Sequence, residues 1–473
     1  MLYKDFKADG FRVRMPPMKY AADVVIYKIR DKAVAETARG EVIAESEDHA
    51  EVIQAAIDVI TTEYGNGGKI VIAPGEYNLS RSIEIRTKSG LALMGAGSSL
   101  FGRLGATRLI FDVSKVSYGL RVIGSWKVLV SDMDIRATDS YNEAVGISIE
   151  YGESPGDPSP TTSNFITIKR TQLFGFGIGI KTLWCGSAKY LLHIEDAYVK
   201  DGHSSNLPGG HGWSVWLEGA AGVLIESSHI EDIYVKEDDS PPAPTVTAGS
   251  VLDVTVRDCR IEREAPLPSY ATVNEAIRFE TIHGDRKFVF DGVHFEGYNT
   301  DWGGNVAGII YIEKGAYPKV RLRWTTVYGT DNLVVLKRPE TSFLGIVFEE
   351  ISDGQNVVNN TYFEVWSGET GIDYKIIPMT DWYKYFLDKR IVKLSGDGTT
   401  TEFNIEHTLW TRSGLPPKYA VVIPQSKDAS SSPFAVIPGT TRITISYQTA
   451  PPSGTDNLVY LVIVKRDTTL EKG

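Results

Sequence analysis

The sequence predicts an all-β solenoid on three observations: one apolar signature that recurs down the chain, a period-2 alternation within it, and scarce helical patterning. The signature places buried-type residues at positions h, h+2 and h+7. Its seven sets are Val128/Val130/Ile135, Ile166/Ile168/Leu173, Leu192/Ile194/Val199, Val223/Ile225/Ile230, Val254/Val256/Ile261, Phe288/Phe290/Phe295 and Val320/Leu322/Val327. Their first members lie 38, 26, 31, 31, 34 and 32 residues apart, the mark of stacked coils whose loops absorb differences in length. Alternation between h and h+2 makes the coils strands.

The elements follow in order. Residues 1–45 read as a small module with one strand, ADVVIYKIRD, and a hairpin partner near EVIAES. A helix comes next. Asp48 is a good N-cap with Glu51 three residues on, a capping-box arrangement. Val52, Ile53, Ala56, Ile57 and Ile60 make its apolar face and Gly65 stops it. A solenoid must cover the apolar end and strand edges of its first coil, and this helix is the natural cap. The stretch GGKIVIAPGEYNLSRSIEIRTKSGLALMGAG then reads as three strands with turns between. Its Gly95-Ala96-Gly97 lacks the third glycine and the following helix of a dinucleotide site.

DHAEVIQAAID, GGKIVIAPGEYNL and GLALMGAG together resemble the opening segment of the pectate-lyase-like superfamily. The resemblance covers residues 48–97 by motif and about 98–360 by repeat pattern. It implies a right-handed parallel β-helix of the kind found in bacteriophage tailspikes and polysaccharide depolymerases. The superfamily holds lyases, hydrolases, esterases and non-catalytic spikes, so it does not decide the activity. It further implies a homotrimer in a virion tail, with a cell-surface polysaccharide and other tail proteins as partners. The calcium-binding Asp clusters of true pectate lyases have no clear counterpart here.

The β-helix with its cap is expected over 46–375. The aromatic-rich TDWYKYFLDKR falls in a linker, 376–390. From 391 to 473, short alternating strands spaced by Gly, Pro, Asp and Ser turns predict a compact β-sandwich, similar to small modules that serve trimer assembly or glycan contact on phage tail proteins.

Bulk properties narrow the function. A formal charge of −11 argues against a nucleic-acid partner. No segment approaches the ~20 apolar residues of a membrane span, so no membrane insertion is expected. The N-terminal MLYKDFKADGFRVR has charges where a secretory leader needs an apolar run. The expectation is synthesis in the host cytoplasm and release by lysis or a specialised route, with an extracellular location as the alternative. Cys185 and Cys259 are the two cysteines. Cys259 sits at h+5, where the other coils carry Met133, Thr171, Ala197, Ser228, Val293 and Thr325, and so reads as a small core filler.

With h, h+2 and h+7 inward, h+1, h+3 and h+8 face out. Equivalent residues on adjacent coils form columns ~4.8 Å apart. The h+8 column runs Arg136, Phe174, Lys200, Glu231, Glu262, Glu296, Tyr328. Stacked glutamates at this spacing should raise at least one pKa. The h+3 column (Ser131, Lys169, Glu195, Glu226, Arg257, Asp291, Arg323) alternates in sign and reads as a salt ladder. A third strand is seen as GISI, GIGI, SVWL, AIRF and IIYI, with Ser148, Trp216, Arg278 and Tyr311 outward and Glu150, Lys181, Glu218, Glu280 and Glu313 just beyond. Long excursions at 201–213, 231–247, 262–275 and 296–308 separate h+8 from that strand and should build groove walls.

These loops bring Trp213, Tyr270 and Trp302 beside Trp216, Arg278 and Tyr311. Rings stack on flat sugar faces, Arg and acids bond hydroxyls, and paired carboxylates cut glycosidic bonds. Glu231, Glu262 and Glu296 are therefore the expected catalytic group, and the six residues just named the substrate contacts. Hydrolysis is favoured. A lyase would recruit Arg278, His294 and Tyr311, and a non-catalytic receptor-binding spike is the other alternative. His203 and His211 lack a third spaced ligand, so no metal and no cofactor are expected. No G-x-S-x-G nucleophile turn is present.

Overall fold

A computed structural model describes residues 5–8, 11–14, 22–63, 67–98, 105–150, 163–183, 192–237, 252–280, 282, 286–313, 318–330, 332–337, 344–352, 357–365, 374–378, 387–406, 419–439 and 442–465. Cys185, the helix stop at Gly65 and most of the aromatic segment after 379 lie outside these residues.

Each coil contributes three strands, and each strand lies parallel to its counterpart in the next coil. First strands pair in series from Gly68–Ile72 to Lys319–Arg323. Second strands do so from Gly75–Leu79 to Thr325–Tyr328. Third strands form a separate ten-stranded sheet that begins at Ile83–Arg86. The architecture is the expected parallel β-helix. The apolar signature is its register: Ile166, Leu192, Val223, Val254, Phe288 and Val320 are successive partners. So are Ile135, Leu173, Val199, Ile230, Ile261, Phe295 and Val327. All are buried in one continuous core.

Between first and second strands the chain turns at h+4. Asp132, Arg170, Asp196, Ser227, Asp258, Gly292 and Trp324 all hold φ between 47 and 66° there. Short polar side chains and glycine reach this left-handed region at least cost, which explains the aspartates. At h+5 a small buried group closes the corner. Thr171, Ser228, Cys259 and Thr325 each donate to the backbone oxygen two residues earlier. Cys259 is a free thiol in this ladder, and burial pushes it up to about 12. On the third sheet, Gly119, Gly146 and Gly179 allow a close approach of coils. A Cβ on Gly119 or Gly146 would lie 2.6 or 2.7 Å from the carbonyl oxygen of the next glycine.

The helix His49–Glu63 covers the first coil with Val52, Ile53, Ala56, Ile57 and Ile60 fully buried. Asp48 Oδ1 accepts from the N–H groups of Ala50 and Glu51. The return arm of the capping box runs through Ser46, whose hydroxyl accepts from Asp48 N and donates to Glu51. Ahead of the helix, Val24–Ile29 pairs antiparallel with Lys32–Thr37, which pairs in turn with Val42–Ser46. The expected hairpin partner is thus the third strand of a meander. Its middle strand, KAVAET, was hidden by alanines of low β-propensity. Val24–Ile29 also lies parallel to Gly68–Ile72, so these strands continue the coil sheet.

At the far end, Leu344–Ser352 adds in parallel to Lys319–Arg323, and Val357–Val365 folds back antiparallel on it. Tyr374–Pro378 likewise closes the third sheet. Two antiparallel three-stranded sheets follow, Leu387–Gly396/Gly454–Lys465/Tyr419–Pro424 and Glu402–Glu406/Arg442–Tyr447/Phe434–Pro438. They share a core that includes Ile443, Ile445, Tyr447, Tyr460 and Val462, the expected sandwich. Its first strand begins inside the segment read as linker. Among the described residues, no helix is long and apolar enough to cross a membrane.

Candidate functional site

The excursions at 201–213, 262–275 and 296–308 stack on one edge of the coils, as their positions predicted. Thr272 N donates to Gly209 O at 2.8 Å, Leu267 N to Trp302 O at 2.6 Å and Asn305 N to Thr272 O at 2.8 Å. Tyr141 joins this edge, its ring 5.6 Å from that of His203. Tyr141 and Tyr270 are exposed and Trp302 is half-buried. The excursion read at 231–247 does not exist as such. Only Glu231 and Asp232 separate the second strand from a third strand at Ile233–Lys236. IYVK was missed because it follows the second strand with no turn signal between them.

That short corner also removes Glu231 from the outward column. Its second strand, His229–Ile230, ends before Glu231, whose side chain is 5% exposed between Lys200 and Arg263. Glu262 and Glu296 do face outward, as register partners on adjacent coils. They do not repel freely, because bases interleave with them. Arg260 Nε lies 2.5 Å from Glu262 and its terminal nitrogen 3.0 Å from Glu296. His229 is 3.2 Å from Glu262 and His294 is 3.1 Å from Glu296. The expected upward shift is reversed at Glu296: the His294 bond, and after it Arg260, hold its carboxyl below the usual glutamate range. Arg260, His294, Glu296 and Tyr328 line an open depression of about 510 Å³. The sequence pattern identified the column, and His294 as a recruit for a lyase, but not the basic column at h+6 that interleaves with it: His229, Arg260 and His294 are successive partners.

The other expected contacts gather on the outer face of the third sheet. Ser148, Lys181, Trp216, Tyr234, Arg278 and Tyr311 form one register column. This corrects the reading of GIGI by two residues: Lys181 aligns with Ser148, and Leu183 with Glu150. The column is largely closed to solvent. Trp213 is fully buried, and Trp216, Arg278 and Tyr311 are buried too, so they are not the open sugar platforms that the sequence suggested. The reason is mutual packing. Trp213 and Trp216 enclose Tyr234 with Val145 and Ile178, and Arg278 lies 4.7 Å over Tyr311.

Beside this column runs an acidic one with cations between. Arg121 pairs with Glu150, Lys181 with Glu218 at 3.6 Å, Lys236 with Glu280 at 3.5 Å and Arg278 with Glu313. Desolvation lowers the Lys181 pKa, and its ammonium sits 4.5 Å over Trp216. Tyr234 donates to Glu280 at 2.5 Å. Glu262/Glu296 and this column therefore belong to different sheets of the coil.

Between them, under the stacked loops, lies a buried ionic knot. His211, Asp232 and Glu275 are fully buried and Arg263 nearly so. Asp232 receives Arg263 at 2.7 Å and Ser214 N at 2.6 Å. Burial still raises its pKa. His211 bridges toward Asp232 at 3.5 Å and Glu275 at 3.4 Å, and Glu275 takes Arg278 at 2.6 Å. The knot ties the loops to the sheet. The h+3 ladder is also as expected: Lys169 pairs with Glu195, Arg257 with Glu226 and Arg323 with Asp291. Among the described residues, two groups bring metal-type donors within 4.8 Å of one another, His193/Glu195/Glu226 and His229/Glu262/Glu264. Their carboxylates are already paired with Lys169 and Arg257, and with Lys200 and Arg260.

No protein-family model matches the sequence, and no curated protein does. Among solved structures the chain is similar to the tailspike of Pseudomonas phage phi297, at 9% identity and a TM-score of 0.42 over 85% of this chain and 68% of that one. It is similar to pectin methylesterase from carrot at 11% identity and a TM-score of 0.38, over 72% and 86%. A tailspike of E. coli bacteriophage HK620, solved with a pentasaccharide, matches at 11% identity and a TM-score of 0.33, over 88% and 90%. The fold assignment rests on the strand register above.

Proposed function

We propose that this chain is a tailspike-like virion protein that binds a host cell-surface polysaccharide and hydrolyses it, with Glu296 as nucleophile and Glu262 as general acid. The observation that carries the reading is their placement as register partners on adjacent coils, with Glu296 at the wall of the open depression. Partner strands stand ~4.8 Å apart, close to the about 5–5.5 Å carboxyl separation of retaining glycosidases. A carboxyl held below its usual range stays ionised, as a nucleophile must. Tyr270, Trp302 and Tyr141 on the loop edge supply the ring faces for sugar. Glu231 acts as a positioning group that holds Lys200 and Arg263. Trp213, Trp216, Arg278 and Tyr311 form the frame on which the loops rest. The active particle is a homotrimer docked to other tail proteins.

Release of reducing ends from purified host envelope glycan is the direct test. Glu262→Gln should abolish release while binding persists, and NMR of the first-formed anomer should report retention. Wild-type release by Glu262→Gln would sink this assignment.

One observation favours a second reading, binding without cleavage. Arg260 is clamped between both carboxylates, which neutralises them as a salt bridge would on any solvated strand face. Under that reading no envelope glycan yields reducing ends, although the protein adsorbs to cells.

A further inference from the structure

The two clusters that join one imidazole to two carboxylates are in different states. In the first, His193 Nε2 hydrogen-bonds Glu226 at 2.7 Å, and Lys169 and Arg257 pair with the carboxylates. There the ring nitrogen is already spent. In the second, His229 Nε2 stands 3.2 Å from Glu262 and 3.3 Å from Glu264. It makes no hydrogen bond, and the nitrogen is closed to water. Both oxygens therefore lie at hydrogen-bond distance but off the line that such a bond requires. A solvent-excluded ring nitrogen in that state is costly unless another group meets it.

The separations say which group fits. Zinc bonds of about 2.0–2.1 Å at a tetrahedral angle set neighbouring donor atoms ~3.3 Å apart. Both distances from His229 Nε2 match that edge, and the three donor atoms lie within 4.8 Å of one another. Neighbours hold the donors in place. Glu264 turns Oε1 toward His229, while its Oε2 accepts from Tyr198 at 2.5 Å and from Lys200 at 3.0 Å. The Tyr198 ring stands edge-on to the imidazole, with centroids 4.9 Å apart. Outer partners of this kind orient metal ligands. Glu262 is shared with Arg260, but that arginine is half exposed and also holds Glu296 at 3.0 Å. Exposed ion pairs are weak, so a cation displaces it at little cost. Spacing along the chain concealed the group, because its members come from h+6 of one coil and from h+8 and h+10 of the next.

We propose that His229, Glu262 and Glu264 form a three-ligand site for a divalent transition-metal cation, with water in the fourth position. One ring nitrogen and two carboxylate oxygens suit zinc or cobalt, and the imidazole discriminates against calcium and magnesium. A cation there occupies the oxygen that Glu262 must protonate to act as an acid, so occupancy turns cleavage off. That consequence rests on the hydrolase reading above, whereas the site itself does not.

Calorimetric titration of ZnCl2 into the chelator-stripped full chain tests the site. The wild type should bind zinc and give no heat with CaCl2, and Co2+ in its place should show the visible absorption of a tetrahedral centre. His229→Gln and Glu264→Gln should each weaken zinc by about tenfold or more, since even outer-shell partners carry that much. His193→Gln, in the other cluster, should leave zinc affinity unchanged. Circular-dichroism melts establish which variants are folded, and because the two ligands come from different coils, either one alone decides the matter. A wild type that binds no zinc overturns the proposal, and so does an affinity that no folded ligand variant alters. Glycan cleavage is assayed on the same samples. Saturating zinc should abolish it in the wild type, and cleavage that persists under saturation overturns the switch. Zinc binding by a chain that cleaves no glycan would condemn the enzyme reading alone, and cleavage by a chain that binds no zinc would condemn the site alone.

Discussion

At the residue level, the charges around Glu296 make a pH prediction. Its carboxyl is held below the ordinary value of about 4.3. A depressed carboxylate keeps its ionised form until pH falls through the lowered folded-state value. If Glu296 is the nucleophile, the acid limb of kcat/KM lies below the ordinary glutamate range. His294→Gln removes the leading cause of the depression, so that limb should move up in pH; a limb that does not move removes Glu296 from the role. Cleavage that survives Glu262→Gln but fails in Glu280→Gln would instead transfer the reaction to the third sheet. Cys259 gives a simpler expectation. With burial pushing its thiol up to about 12, a Cys185→Ser chain should leave a thiol-specific reagent unreacted at neutral pH until it unfolds. The glutamate column was legible in the sequence because h+8 is fixed by the apolar set. That the bases at h+6 form a column of their own was not, because His and Arg on a strand face carry no periodic apolar signal. Nor could the sequence show that Trp213 and Tyr234 pack against Trp216 and that Arg278 lies over Tyr311, since outward on a strand does not mean open to water once neighbouring coils add their own side chains.

At the level of elements, the corners and the cap carry the stability arguments. Trp324 holds φ 47° at h+4, where a bulky residue costs about 1–2 kcal/mol. Trp324→Asn should stabilise the fold by roughly 1 kcal/mol or less, read as an upward shift in the chemical-denaturation midpoint. Asp48→Ala strips the helix of its N-cap bonds and should cost about 1 kcal/mol. Gly146→Ala forces a Cβ to within 2.7 Å of the next coil's carbonyl oxygen. It should cost about 1–3 kcal/mol as overpacking, and a thermal melt of the variant decides it. First and second strands were readable because both ends of their signature are large and apolar. The third strand slipped by two residues at GIGI and vanished at IYVK. Its position depends on corner length, which ranges from the single residue Gly177 to a whole excursion.

At the level of the molecule, every described coil contacts its neighbours in the stack, and the chain meets itself mostly at a separation of about one coil. Such a stack gains stability by neighbour interfaces. A coil cannot bury its apolar faces until the one beneath it exists. Among the described residues, the helix at His49–Glu63 is the one element that presents a finished apolar surface without needing a coil below it. This gives the covering helix a consequence in time: it is a starting block. Coils should be laid down from it in the order in which they are synthesised, each step closing a loop of modest length. In pulse-labelling hydrogen exchange, amides of Gly68–Ile72 should therefore become protected before those of Lys319–Arg323, and simultaneous protection would rule out directional growth. The same surface that ends the solenoid in space would then be where it begins.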